Sequence, residues 1–200
     1  HHENEIAQSE CCNGVPFAHY WMHNAFLNID NRKMSKSLGN FFTVRDISRK
    51  YDLQVLRLFM LSAHYRSPLN FSDDLMEAAK NSLERIRTAA GNLTDRISRA
   101  SAYAMSEKEK ADAEEAKSYV NRFEEDMDDD FNTADALSVV FDLVKFANTH
   151  VDESSSKEFC TLLHEEQAQL CGVLGIIADV KSEMLDADIE KMIEERQEAR

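Results

Sequence analysis

The chain has 200 residues, 43 % of them apolar, a formal net charge of −14, and only five glycines and two prolines. That is enough apolar material for a packed core and too little glycine and proline for an all-β fold built on tight turns. No run approaches the roughly 18 apolar residues of a membrane span, so no membrane is expected as a partner. Four cysteines, two of them adjacent (Cys11, Cys12), do not make a disulfide framework and read as reduced thiols of a cytoplasmic protein.

The charge is uneven. Residues 1–30 hold no Lys or Arg and four acids; residues 31–100 carry a net +6; residues 101–200 carry a net −16. The acidic half reads as solvated helix faces, and the basic middle third is where a polyanion can bind.

In chain order, His1 to Cys12 reads as a short helix that "NGVP" (13–16) ends. "AFLNI" (25–29) reads as a short strand and "DNRKMSKSLGN" (30–40) as a flexible polar loop closed by a turn at Gly39–Asn40. Thr43 and Asp46 have the spacing of a capping box for a helix of about two turns. Asp52 caps the next helix, where Leu53, Leu56, Phe59 and Met60 read as a buried stripe. "HYRSPLNFS" (64–72) is extended, since Pro68 forbids helix. Ser72 caps a long helix from Asp73 towards Arg99, with an apolar line of Leu75, Ala79, Leu83, Ile86, Ala90, Leu93 and Ile97. Ser106 caps a helix over 107–128 with Ala116, Val120, Phe123 and Met127 on one face. "MDDDFNTADAL" (127–137) interrupts, and Thr133 caps a helix with Leu137, Val140, Phe141 and Val144 inward. A loop (152–158), a helix over about 157–172 and a charged final segment (188–200) complete the chain. The expected fold is mainly α: a small mixed α/β head, residues 1–50, followed by an antiparallel α-helical bundle over 51–180. Residues 181–200 begin a further region.

"KMSKS" (33–37) carries the most chemistry. Lys33 and Lys36 sit three residues apart with Ser35 and Ser37 beside them. Such a loop can fold over a triphosphate and place ammonium groups where negative charge develops. A bare K-x-x-K is more often a solvated surface loop. Likewise, a terminal His-His pair is often a purification remnant. His1 and Glu5 stand at i and i+4, on one helix face, and imidazole and carboxylate are ordinary zinc donors. His2, at i−3 from Glu5, is a geometric alternative. Cys11 and Cys12 read as ordinary thiols, Trp21 and His23 as a packed aromatic and a hydrogen-bonded histidine. Asp128–Asp130 read as a turn and N-cap cluster, since no calcium-loop spacing follows. His64, Tyr65 and Arg66 read either as nucleic-acid contacts or as structural capping.

Four stretches, "HHENEIAQSE", "YWMHNAFLNIDNRKMSKSLGNFFTVRDI", "LRLFMLSAHYRSPLNFS" and "MDDDFNTADAL", together resemble the cysteinyl-tRNA synthetase family of class I aminoacyl-tRNA synthetases. The resemblance covers nearly the whole chain. It implies a ligase that activates cysteine with ATP and Mg2+ to cysteinyl-adenylate and transfers the cysteinyl group to tRNA(Cys). It implies Lys36, assisted by Lys33, on the nucleotide phosphates, with Ser35 and Ser37 shaping the loop. It also implies a zinc ion that binds the substrate thiolate, held by His1 and Glu5 together with two cysteines outside this sequence. On this reading residues 1–50 are the C-terminal part of the catalytic domain, 51–180 a bundle of the tRNA stem-contact type, and 181–200 the start of an anticodon-recognition region. His64, Tyr65 and Arg66 are candidate tRNA contacts, and a monomer is expected. The family's HIGH signature is absent, as no H-x-G-H stretch occurs in these 200 residues, so they are expected to be inactive alone. The alternatives are a cysteine ligase of mycothiol synthesis, which uses no tRNA, and a non-catalytic tRNA-binding or structural helical module.

Overall fold

The computed structural model describes residues 1–35, 39–40 and 42–178. The final segment read over 188–200 therefore lies outside the described residues, as do residues 181–200 as a whole. Helix α1 (Glu3–Asn13) ends at Gly14, whose left-handed φ of 67° lets its N–H reach the Glu10 carbonyl.

The head is built on a three-stranded sheet in the order β2-β1-β3, from β1 (Leu27–Ile29), β2 (Arg32–Lys33) and β3 (Leu69–Phe71). β1 and β2 form an antiparallel hairpin, with Ile29 opposite Arg32. Its two-residue turn, Asp30–Asn31, has φ of 47° and 61°. Two successive positive φ values match the strand twist, and Asp and Asn tolerate them better than most residues. β3 lies parallel to β1 and pins the turn: the Asn31 amide donates to Asn70 Oδ1 at 2.7 Å, and the Asp30 amide to the Phe71 carbonyl at 3.1 Å. A parallel partner needs a crossover. It is supplied by α2 (Val44–Ile47), opened by the Thr43–Asp46 capping box, and α3 (Leu53–Leu61), capped by Asp52.

The stripe expected on α3 holds at Phe59 and, partly buried, at Leu56, and is corrected at its other two positions. Val55, Leu58 and Phe59 are the buried positions, while Leu53 and Met60 are each 49 % exposed. The helix is apolar on nearly every side, so periodicity could not choose its inner face. That face is set by the long helix behind it.

Four long helices follow: α4 (Asp73–Arg99), α5 (Glu107–Asp128), α6 (Thr133–His150) and α7 (Lys157–Leu174). Short connections make them an antiparallel bundle. α5 packs chiefly on α6 and α4 on α7, while α4 and α6 meet less closely. In α4 the inward line starts at Met76, fully buried, and not at the exposed Leu75. Both positions satisfy a three-four spacing to Ala79, and packing selects the second. In α5 Ala113, Ala116 and Phe123 are buried, with Val120 and Met127 partly so. α6 is buried more widely than one stripe, through Ala136, Leu137, Val139, Val140, Leu143, Val144, Phe146 and Ala147. Its N-cap is Asn132, whose Oδ1 accepts from the Asp135 amide at 3.3 Å; Thr133 is already helical. The shift comes from Asp130 and Phe131, both at φ 55°, which turn the chain so that Asn132 meets the helix start.

The end of α7 closes on α3. Gly175, at φ 65°, donates to the Gly172 carbonyl, and Ile176 donates to Cys171, the two bonds of a Schellman motif. Arg57 Nε then caps the Leu174 carbonyl at 2.7 Å, and Gln54 Oε1 accepts from the Ile177 amide at 2.8 Å.

Candidate functional site

The sheet hairpin sets the start of the lysine loop. Residues 32–33 are strand and not loop, which corrects the expectation for 30–40. Lys33 is exposed at the end of β2, and Met34 tucks against the core. Arg32 and Lys33 are both exposed on this two-residue edge strand, so Lys33 is open to solvent. The backbone N–H of Ser35 donates to Asn40 Oδ1 at 2.9 Å, while Asn40 Nδ2 donates to the Lys33 carbonyl at 3.2 Å. One amide side chain thus ties the residue closing the loop to both residues flanking Met34. Gly39, at φ 68°, supplies the left-handed position that brings Asn40 back. Lys36 and Ser37 lie outside the described residues.

The histidine end of the chain forms an aromatic cluster. His1 precedes α1, and His2 occupies its N-cap position with φ 63°. His2 Nδ1, rather than a nitrogen of His1, has a recorded approach to Glu5, 3.6 Å from Oε1. The His23 ring lies 5.4 Å from both His1 and His2, and Trp21 stacks on His2 at 5.4 Å and on His23 at 6.2 Å. Trp21 stacks on the histidines but stays 44 % exposed, which corrects the expected packed aromatic, and among the described residues His23 has ring contacts and no hydrogen bond. Cys11 and Cys12 are exposed on α1. Among the described residues no group of three or more His, Cys, Asp or Glu is arranged to hold a metal ion. His1, His2 and Glu5 offer part of a zinc donor set but not a closed site, so no chemical step is assigned to zinc in this chain.

His64, Tyr65 and Arg66 converge on Asp130. The Tyr65 hydroxyl donates to Oδ1 at 2.7 Å, Arg66 Nε approaches Oδ2 at 2.9 Å, and His64 Nε2 lies 3.8 Å from Oδ2. Arg66 Nε also donates to the Tyr65 oxygen at 2.8 Å, and this bond, followed by the Asp130 charge, raises the guanidinium pKa further. Asp130 is therefore a clasp between head and bundle. The N-cap role expected for the Asp128–Asp130 cluster belongs to Asn132. Beside the clasp lies an apolar cavity of about 430 Å³, lined among others by Met22, Phe26, Leu61, Leu69 and Phe131.

Asn40 and Asp130 are the two site residues that sequence reasoning missed. Each stands inside a stretch that was singled out, but each was read as turn chemistry alone. The signal lay in the partners, which are distant for Asp130 and across a loop for Asn40.

Residues 1–81 match the family described as tRNA synthetases class I (C) catalytic domain, and residues 122–178 match the DALR domain. A class I synthetase catalytic portion joined to a DALR helical bundle is the class this fold defines. Over all 200 residues the chain is 61 % identical to a cysteine–tRNA ligase of Lachnospira eligens, covering 42 % of that protein. It is 50 % identical to those of Lachnoclostridium phytofermentans, covering 44 %, and Clostridioides difficile, covering 43 %. The chain belongs to the cysteine–tRNA ligase family, and it spans less than half the length of these curated relatives. The fold is shared with the LeuRS–tRNA–LeuAMS ternary complex of Agrobacterium radiobacter K84, at a TM-score of 0.60 and 18 % identity, covering 87 % of this chain and 26 % of that one.

Proposed function

We propose that this chain is part of a cysteine–tRNA ligase that makes cysteinyl-adenylate from cysteine and ATP, with Mg2+, and passes the cysteinyl group to tRNA(Cys). The observation that carries this reading is the match of all 200 residues to curated cysteine–tRNA ligases at 50–61 % identity. The sequence stretches "LGNFFTVRD" and "MDDDFNT" favour it over the mycothiol ligase. The 200 residues contain no H-x-G-H stretch and are inactive alone on this reading, which leaves the non-catalytic module as a description of the excerpt only.

In this proposal Lys36, assisted by Lys33, neutralises the triphosphate as pyrophosphate leaves, and Ser35 and Ser37 shape the loop. Lysine suits the task as a mobile point charge. His1, with His2 as the alternative, and Glu5 contribute to a zinc site completed by thiolates from elsewhere in the protein. Residues 1–50, 51–180 and 181–200 are the catalytic, stem-contact and anticodon-side portions, and His64–Arg66 lie on the tRNA side. The protein works as a cytoplasmic monomer. Among the described residues no helix is long and apolar enough to cross a membrane.

The test is cysteine-dependent pyrophosphate exchange in the full-length protein. Lys36→Ala should slow it on the order of 10²–10³, the usual effect of losing one donor to developing charge. An unchanged rate at saturating ATP would remove Lys36 from the mechanism. Exchange supported by another amino acid in place of cysteine would overturn the ligase reading.

A further inference from the structure

Helices α4 and α6, which meet less closely than α5 with α6 or α4 with α7, leave a polar groove between them. Two adjoining cavities of about 280 and 400 Å³ share Ala89, Asn92 and Asn148. Ala89 forms the floor: it is 2 % exposed, and its single methyl holds the two helices apart less than a larger side chain would. On α4, Asn81, Arg85, Thr88, Asn92 and Arg96 recur at steps of four, three, four and four, so they form one stripe on the rim. That stripe is about 22 Å long at 1.5 Å per residue. On α6 the opposite rim is Lys145, Asn148 and Thr149.

Of the groove's cations, Arg96 lies 4.0 Å from Glu153, while Arg85 and Lys145 have no such carboxylate among the described residues. Glu84 pairs with Arg87 and Asp95 with Arg99, so the rim acids are neutralised by residues other than Arg85 and Lys145. Among the described residues neither Arg85 nor Lys145 joins an ion pair. Arg85 is oriented across the groove by Phe141 of α6, its guanidinium 5.1 Å from the ring centroid. Lys145 stands one turn after Phe141 on the same face. The side-chain amides of Asn81, Asn92 and Asn148 make no hydrogen bond among the described residues. The contrast with the rest of the bundle is strong: α5 carries nine acids against four bases, α4 five of each. A polyanion meets repulsion along α5 and attraction in this groove.

We propose that the α4–α6 groove binds the sugar–phosphate backbone of the RNA substrate, with Arg85 and Lys145 on phosphates and the three asparagine amides on ribose or phosphate oxygens. This rests on the tRNA-ligase reading and adds to it a specific contact surface. Backbone contacts of this kind set affinity and orientation, and not sequence choice. Each phosphate contact also contributes about one unit to the salt dependence of binding.

The experiment uses the full-length protein and a tRNA(Cys) transcript, with affinity measured over a range of salt. The double variant Arg85→Gln/Lys145→Gln should weaken binding about tenfold and lower the slope of log K against log salt by about two. The charge-retaining pair Arg85→Lys/Lys145→Arg should keep the slope. Cysteine-dependent pyrophosphate exchange, which needs no tRNA on this reading, should be unchanged in both. An unaltered affinity and slope in the Gln pair would overturn the groove assignment. So would an equal loss in the charge-retaining pair, because it would indicate disturbed packing. Failure of the unmutated protein to support exchange would count against the ligase reading, while the binding arm would still decide the groove.

Discussion

The Tyr65 hydroxyl donates to the Asp130 carboxylate at 2.7 Å, closing a link between residues 65 apart in the chain. The link joins the turn after α3, where the Ser67 amide donates to the His64 carbonyl and the expected extended run begins only at Leu69, to the turn before α6. Asp130 holds φ 55° to receive it, a conformation that Asn tolerates and Ala does not. Asp130→Asn should therefore destabilise mildly, and Asp130→Ala by about 1–3 kcal/mol, through backbone strain and the lost acceptor. In a urea-unfolding double-mutant cycle, Tyr65→Phe and Asp130→Asn should be coupled by at least about 0.5 kcal/mol. Strict additivity would show that the link contributes nothing.

Asn40 should govern access to the lysine loop. Asn40→Ala removes both the acceptor for Ser35 and the donor to Lys33. Trypsin should then cut after Lys33 several-fold faster, followed by mass spectrometry of the first fragments. Asn40→Asp keeps the acceptor only and should fall between. Equal cleavage in all three proteins would mean that Asn40 does not hold the loop base.

Gly175 stands where a side chain has neither the backbone nor the room. Its φ is 65°, and an added Cβ would lie 2.5 Å from Arg57 Nη2. Gly175→Ala should cost about 1–2 kcal/mol from the left-handed backbone alone. The melting temperature should fall by about 2–4 °C per kcal/mol for a chain of this size. An unchanged melting point would show that neither the left-handed backbone nor the crowding by Arg57 makes glycine necessary at the α7 terminus.

Glu109 should give the bundle an acid-sensitive joint. Burial pushes its carboxyl pKa up, but the Ser156 and Ser106 amides, both at 2.7 Å, bring the net shift below the ordinary value. Asp52 is lowered too, chiefly by the Gln54 amide, with Arg87 assisting. A depressed folded pKa adds stability that is fully present above the unfolded value, about 4.3 for Glu. That stability is lost as the pH falls through the folded value. Chemical denaturation between pH 7 and pH 3 should show a drop confined to the range below about 4.5. Glu109→Gln should be less stable at pH 7 and show a shallower drop; an identical pH profile would dismiss the joint.

Residues 1–200 alone should bind zinc weakly. They bring His1, His2 and Glu5 together at the start of α1, and no group of three or more metal-donor side chains is arranged as a site among the described residues. Closed zinc sites use four protein ligands. Titration should give no submicromolar affinity. Tight binding lost on Glu5→Ala would mean that the site is complete within this stretch.

What could be read from the order of residues was local. Caps at Thr43, Asp52, Ser72 and Ser106 lie within three residues of the amides they accept from, so spacing alone reveals them. Long helices declare themselves by period, and "KMSKS" by the chemistry of paired lysines. What packing alone decided involves partners far apart in the chain. β3 joined β1 across about 40 residues, an extended segment whose pairing no local pattern announces. The inner face of α3 was chosen by its neighbours, because a helix apolar on nearly every side leaves its inner face open to choice. Asp130 read as turn chemistry because its carboxylate partners, Tyr65 and Arg66, are more than 60 residues upstream. Hydrogen bonds and apolar contacts act over a few ångströms of space whatever their separation in the chain, so only the folded chain brings such pairs within reach.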